Sequence, residues 1–135
     1  MTSAFWWWPF SFVVNTVPGI SAAKLDSKLK ENNEKPILLV DVRNPGEFQS
    51  GHIPNAVNVP LGQLDGRRVA EMAEKLAEEK GCSKSDVEVV CVCLSAHRSP
   101  PAVRLIQGAD PSLNVKQLDY GMANWWMKKF ETIKS

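Results

Sequence analysis

The chain has 135 residues, 44% of them apolar and 23% charged, which suits one globular domain whose core needs no staples. Its net charge of +1, with basic and acidic residues interleaved, excludes the basic face of a nucleic-acid binder. Three cysteines exclude a disulfide framework and point to a reducing compartment, the cytoplasm; with no C-x-x-C pair they make no zinc signature, so no metal or other cofactor is expected.

Residues 1–16 are set apart from a domain spanning residues 17–135. The opening "MTSAFWWWPFSFVV" carries no charged side chain, and none appears before Lys24. Its apolar run is too short for a membrane span and is broken by Pro9. It lacks the positive n-region of a secretory signal. Its tryptophans and phenylalanines suit packing on the domain or on a protein partner, or a peripheral membrane contact.

Residues 17–20 are expected as a short edge strand, where Pro18 is tolerated. Ser21 is placed to cap a helix that runs to residue 32, with Ala22, Leu25 and Leu29 at helical spacing. The apolar run "ILLVDV", residues 37–42, reads as a strand buried on both faces of a parallel sheet. A turn-rich stretch follows, with one helical turn around residues 47–49, and "AVNVP" is a second short strand. Phe48, Ile53 and Val57 read as core. Residues 67–80 form the clearest helix: Val69, Met72, Ala73, Leu76 and Ala77 make one stripe, and Gly81 ends it. "DVEVVCVC", residues 86–93, is a central strand. Ser99 reads as the cap of the next helix, with Pro100 at its first position and Gly108 at its end. Residues 115–118 form a fourth strand, "DYGMANW" a loop, and residues 126–130 a closing helix. Strands alternate with helices, so the class is α/β with a small, mainly parallel sheet.

In such sheets ligands bind beyond the carboxyl ends of the strands. Cys93 stands at the end of the central strand, residues 94–98 turn, and a helix starts at once. Unpaired N–H groups at a helix start favour an anion, and Arg98 adds a full charge and a fork of donors. That field favours the thiolate, the nucleophilic form, of a cysteine placed there. Cys93 is therefore read as the reactive cysteine. Cys91, two residues earlier, faces the same side from deeper in the core, and Cys82 is a bystander. His97 either tunes the pocket or is a solvated loop residue. Asp41 and Arg43, with Glu47 in the following turn, read as a set of ion pairs or hydrogen bonds that fixes the loops. Gly51 and Gly121 read as turn glycines, His52 as a structural hydrogen-bonding residue, and Trp125 as core or pocket lining.

These residues carry a resemblance. "DVRNPGEFQSGHIPNAVNVP", residues 41–60, is similar to the first signature of the rhodanese (sulfurtransferase) family, D-x-R-x-x-x-E-[FY]-x-x-G-H-I-x-x-A-x-N-[VI]-P. "CLSAHRS", residues 93–99, resembles the family's C-x-x-G-x-R-S active loop, and "YGMANW", residues 120–125, its late glycine–tryptophan element. The resemblance covers residues 17–130 and leaves the aromatic opening outside. It implies a rhodanese fold, a parallel sheet sandwiched by helices, in which Cys93 carries a persulfide. The donor would be thiosulfate or a protein persulfide, and the acceptor cyanide or a thiol. The backbone N–H groups of Leu94, Ser95, Ala96, His97 and Arg98 would hold the sulfur's charge. Arg98 would also keep the loop's shape and orient an anionic donor, and Ser99 would cap the helix.

One position departs from the family pattern. Ala96 stands where the family usually has glycine, at a point where inward-facing N–H groups can require a positive φ. Two other functions share the fold. Phosphatases and arsenate reductases have a loop one residue longer than the four residues, 94–97, between Cys93 and Arg98; the shorter ring suits a sulfur atom and crowds a tetrahedral oxyanion. Non-catalytic rhodanese-type binding modules often lack the cysteine that is present here.

Overall fold

The computed structural model describes residues 17–31 and 35–135. Its strands are β1 (Gly19–Ile20), β2 (Ile37–Asp41), β3 (Val57–Asn58), β4 (Glu88–Val92) and β5 (Asn114–Leu118). They form one sheet in the order β1-β5-β4-β2-β3, parallel at every pairing. The helices are α1 (Ala22–Lys30), α2 (Pro45–Ser50), α3 (Gly66–Lys80), α4 (Ser99–Ala109) and α5 (Gly121–Met127). The aromatic segment, residues 1–16, lies outside the described residues. Among the described residues, no helix is long and apolar enough to cross a membrane.

The most apolar strand sits in the middle because both of its faces are covered. Every residue of β4 is buried. Val89, Cys91 and Cys93 face α3 and α4, beside Val40, Val69, Ala73, Ala102 and Val103. Val90 and Val92 face the other way, onto the layer of α1 and α5, with Leu25, Met122 and Trp125. The sheet is thus sandwiched by helices, the α/β class that the alternation of strands and helices implies. The stripe on α3 packs as its spacing requires, with Val69, Ala73 and Ala77 buried and Gly81 in the left-handed region at φ 71°.

Four local expectations are corrected. The helix after Ser21 stops at Lys30, and Leu29 is exposed; only Ala22 and Leu25 of α1 reach the core. Val57 is exposed because β3 is an edge strand, and Phe48 is only half-buried, its ring stacked on His52 at 3.7 Å. The last helix is Gly121–Met127 rather than residues 126–130: Tyr120 and Gly121, both at φ 63°, turn the chain so tightly that the loop is over before Met122. Ser99 is the first residue of α4, and Arg98 takes the cap position.

Two helices approach closely at Gly66, the first residue of α3. A Cβ there would lie 2.4 Å from the Leu105 carbonyl oxygen and 3.0 Å from the Ala109 Cβ on α4. Backbone cannot yield as a side-chain tip can. Gly66→Ala is expected to lower stability by about 1–3 kcal/mol, read as a fall in the urea midpoint with the slope unchanged.

Candidate active site

β4 delivers Cys93 to the carboxyl edge of the sheet, and the chain then bends through residues 94–98 into α4. Cys93 and Cys91 lie two apart on the same face, both fully buried. Burial, and secondarily the neighbouring Cys93, push the Cys91 thiol up to about 12, so Cys91 stays protonated at neutral pH. Cys93 has a polar partner: its Sγ lies 3.4 Å from the Ser99 hydroxyl, which donates to Gln117 Oε1 at 2.7 Å. Ser99 therefore serves the sulfur and β5, and its side chain makes no cap hydrogen bond.

The loop is held at both ends. At its start, the carbonyls of Cys93 and Leu94 accept from the N–H groups of Met122 (2.8 Å) and Ala123 (2.9 Å) in the first turn of α5. Those N–H groups have no partner within their own helix, so the loop supplies the missing acceptors. The approach leaves no room for a side chain: a Cβ on Gly121 would lie 2.4 Å from the Cys93 oxygen and 2.5 Å from the Leu94 oxygen. Gly121 is thus required for close contact as well as for its turn.

At the far end, the Arg98 guanidinium forks onto Glu47 of α2, Nη1 to Oε1 at 2.7 Å and Nη2 to Oε2 at 3.1 Å. Glu47 Oε1 also accepts the Asn44 N–H at 2.9 Å, so one carboxylate caps α2 and anchors the loop. The Arg98 bonds hold the Glu47 carboxyl at about 2, against an ordinary 4.5, despite the opposing effect of partial burial. Two of the Arg98 N–H groups are spent on this pair rather than turned to the space above Cys93.

Asp41 and Arg43 stand behind that anchor. Asp41 accepts from Arg43 Nε at 2.9 Å and Nη2 at 2.8 Å, and both residues are buried. Arg43 Nη2 also donates to the Gly51 carbonyl at 2.8 Å, which ties β2 to the end of α2. Asn58, which the sequence reading leaves out, donates to the carbonyls of Asp41 and Arg43, each at 3.0 Å. Its signal is its place in the signature itself. Together these bonds orient α2, and so Glu47, toward the loop.

Among the described residues, no protein acceptor takes the backbone N–H groups of residues 94–98. Ala96 sits in the left-handed region at φ 66°. Ser95 and His97 are exposed and bonded to each other, Oγ to Nδ1 at 2.9 Å, and Leu94 is exposed. His52 bonds the Phe48 carbonyl through Nδ1 at 2.8 Å, and Trp125 is buried with its Nε1 on the Glu131 carbonyl at 2.9 Å. Both belong to the scaffold. Among the described residues, Gln117 of β5 alone joins the hydrogen-bond chain that runs from Cys93 through Ser99.

Residues 21–128 match the family model of the rhodanese-like domain, and the chain belongs to that family. It is 38% identical over 99 residues to an HTH-type transcriptional regulator of Mycobacterium tuberculosis, Rv0324, covering 72% of this chain and 38% of that one. It is 30% identical over 113 residues to the putative sulfur carrier protein YrkF of Bacillus subtilis, covering 82% and 52%. It is 28% identical over 111 residues to the adenylyltransferase and sulfurtransferase MOCS3 of Drosophila ananassae, covering 80% and 23%. The chain thus spans about half or less of the length of these relatives. Among solved structures, the rhodanese-like domain of the Anabaena protein Alr3790 superposes with a TM-score of 0.68 at 22% identity, over 89% of this chain and 81% of that one, a likeness of fold. Sulfur transfer is the chemistry supported at the level of the family.

The Glu47–Arg98 pair makes a pH-dependent contribution of definite sign. The folded Glu47 lies below its ordinary 4.5, so the pair stabilises the fold above that pH and loses its effect as pH falls toward about 2. Glu47→Gln is expected to cost on the order of 1 kcal/mol at pH 7, the pair being partly solvated. The gap between variant and native urea midpoints should close as pH is lowered from 4.5 to 2.

Proposed function

We propose that the chain is a sulfurtransferase that carries a sulfane sulfur on Cys93. The observation that carries this reading is the position of the thiol: at the end of the middle strand, beneath a short loop whose N–H groups at residues 94–98 have no acceptor among the described residues. An anion at that point could draw on those unspent N–H groups, and the carboxylate nearest the loop, Glu47, is already paired with Arg98.

The transfer takes two steps. The Cys93 thiolate attacks the outer sulfur of thiosulfate, or of a protein persulfide. The sulfur–sulfur bond of the donor breaks, and sulfite or the donor thiolate leaves with the electron pair. Cys93 then bears a persulfide whose terminal charge is held by the loop N–H groups. Cyanide or a thiolate attacks that terminal sulfur, thiocyanate or a new persulfide departs, and the Cys93 thiolate returns. No outside oxidant or reductant is needed. Cys93 is fully buried, so a donor reaches Sγ when the middle of the loop, Ser95–Ala96–His97, swings away from its anchored ends.

The full burial of Cys93 favours one second reading, a rhodanese-type module that binds a partner without turnover. Intact-mass analysis after thiosulfate separates the two. The native chain is expected to gain one sulfur on the peptide bearing Cys93 and to lose it to cyanide as thiocyanate. Cys93→Ser should gain none and make no thiocyanate, while Cys91→Ser should still do both. No sulfur gain by the native chain would favour the binding module.

Ala96 carries the strain of a left-handed residue with a Cβ, on the order of 1–2 kcal/mol. Ala96→Gly removes that strain and restores the family's usual residue. Thiosulfate turnover in this variant is expected to equal or exceed that of the native chain; a large loss would show that the alanine is needed in its own right.

A further inference from the structure

Gln117 lies on β5 directly across from Cys91, and its side chain points to the face that carries Cys91 and Cys93. Its Oε1 receives the Ser99 hydroxyl at 2.7 Å. A hydroxyl has one hydrogen, and here Gln117 takes it. The Ser99 oxygen is left as an acceptor, and the Cys93 thiol donates to it at 3.4 Å. This arrangement fits a protonated sulfur.

It does not fit an anionic one. When the thiol loses its proton to solvent, Sγ becomes acceptor only, and it would face the lone pairs of Ser99. If Ser99 turned its hydrogen to the sulfur, its oxygen would face Gln117 Oε1 at a hydrogen-bond distance with no hydrogen between them. An amide resolves the conflict because it carries a donor and an acceptor in interchangeable positions. With the amide turned over, Nε2 donates to Ser99, and Ser99 donates to the sulfur. The turn breaks no other bond: among the described residues, Gln117 Nε2 has no protein acceptor. A carboxylate in the same place offers only oxygen.

We infer that Gln117 is a positioning residue for the Cys93 sulfur, acting through Ser99. Its amide lets the Ser99 hydroxyl accept from a thiol and donate to a thiolate or persulfide. The inference deepens the sulfurtransferase reading and rests on it for the persulfide; the thiol and thiolate part stands without it.

The test reads nucleophilicity without any sulfur donor. Carbamidomethylation of Cys93 by iodoacetamide is followed by peptide mass spectrometry across neutral and alkaline pH, in the full chain, for Gln117→Glu and Gln117→Leu, each alone and combined with Ser99→Ala. Gln117→Glu locks the Ser99 hydrogen away from the sulfur and is expected to slow alkylation about tenfold at pH 7, the deficit shrinking at higher pH. Gln117→Leu frees that hydrogen for the sulfur and should stay within about threefold of the native rate. In the Ser99→Ala background the two Gln117 variants should differ by less than about twofold, because the coupling runs through the hydroxyl. Equal slowing by Glu and Leu overturns the inference in favour of a packing role. A Gln117→Glu deficit that persists without Ser99 overturns it in favour of the added charge alone. If Gln117→Glu does not fold, the native chain still decides. Its Gln117 side-chain amide NMR signal should move with pH in step with the Cys93 alkylation rate, and a signal that does not move overturns the inference. Failure of the sulfurtransferase reading shows separately, as no sulfur gain from thiosulfate despite these effects.

Discussion

The loop over Cys93 depends on one constraint: its two ends are tied to two different helices while its middle bonds to neither. The first turn of α5 supplies N–H groups to the carbonyls of Cys93 and Leu94, and Glu47 of α2 grips Arg98. A loop held this way keeps its own N–H groups unspent among the described residues. The helix ends do the holding because that is where a helix has unused donors and an N-terminal carboxylate is favoured. If either tie were lost, the loop would no longer be held in this shape, and the anion-binding role proposed for it would be lost with it.

This arrangement explains why so many polar residues of the first signature never approach the sulfur. Asp41, Arg43 and Asn58 bond one another and the backbone around the end of β2. Their effect reaches Cys93 through α2 and Glu47, whose carboxylate then meets Arg98. The buried Asp41–Arg43 pair is satisfied on both sides, by four bonds between the two residues and one more to Gly51. A buried pair completed in this way fixes geometry, whereas removal of one partner strands a charge. The buried Cys93 sulfur and its loop are therefore supported by a much larger polar frame.

The opposite polarity of the two cysteine environments follows from a step of two residues along one strand. Cys91 is enclosed by apolar neighbours and kept as a thiol. Cys93, at the edge of the sheet, is buried beneath the loop but reaches the Ser99 hydroxyl. The α/β layout places that change of surroundings where the strand ends and the helix begins.

The sequence by itself determined the layers and the family. Continuous apolar runs marked the inner strands β2 and β4, the stripe on α3 marked its buried face, and residues 41–60 and 93–99 marked the family and the cysteine proposed to carry the sulfur. It did so because burial and turn geometry leave periodic or local traces along the chain. Only the tertiary structure decided which groups meet. The register of β5 against β4 brings Gln117 under Ser99, and the packing of α5 turns Gly121 from a turn residue into a contact residue. Ser99 faces the sulfur rather than capping its helix, and Leu29 and Val57 end up exposed because a short helix and an edge strand leave them uncovered. Such pairings join residues far apart in the chain, so no local pattern records them; they exist only once the strands have found their neighbours.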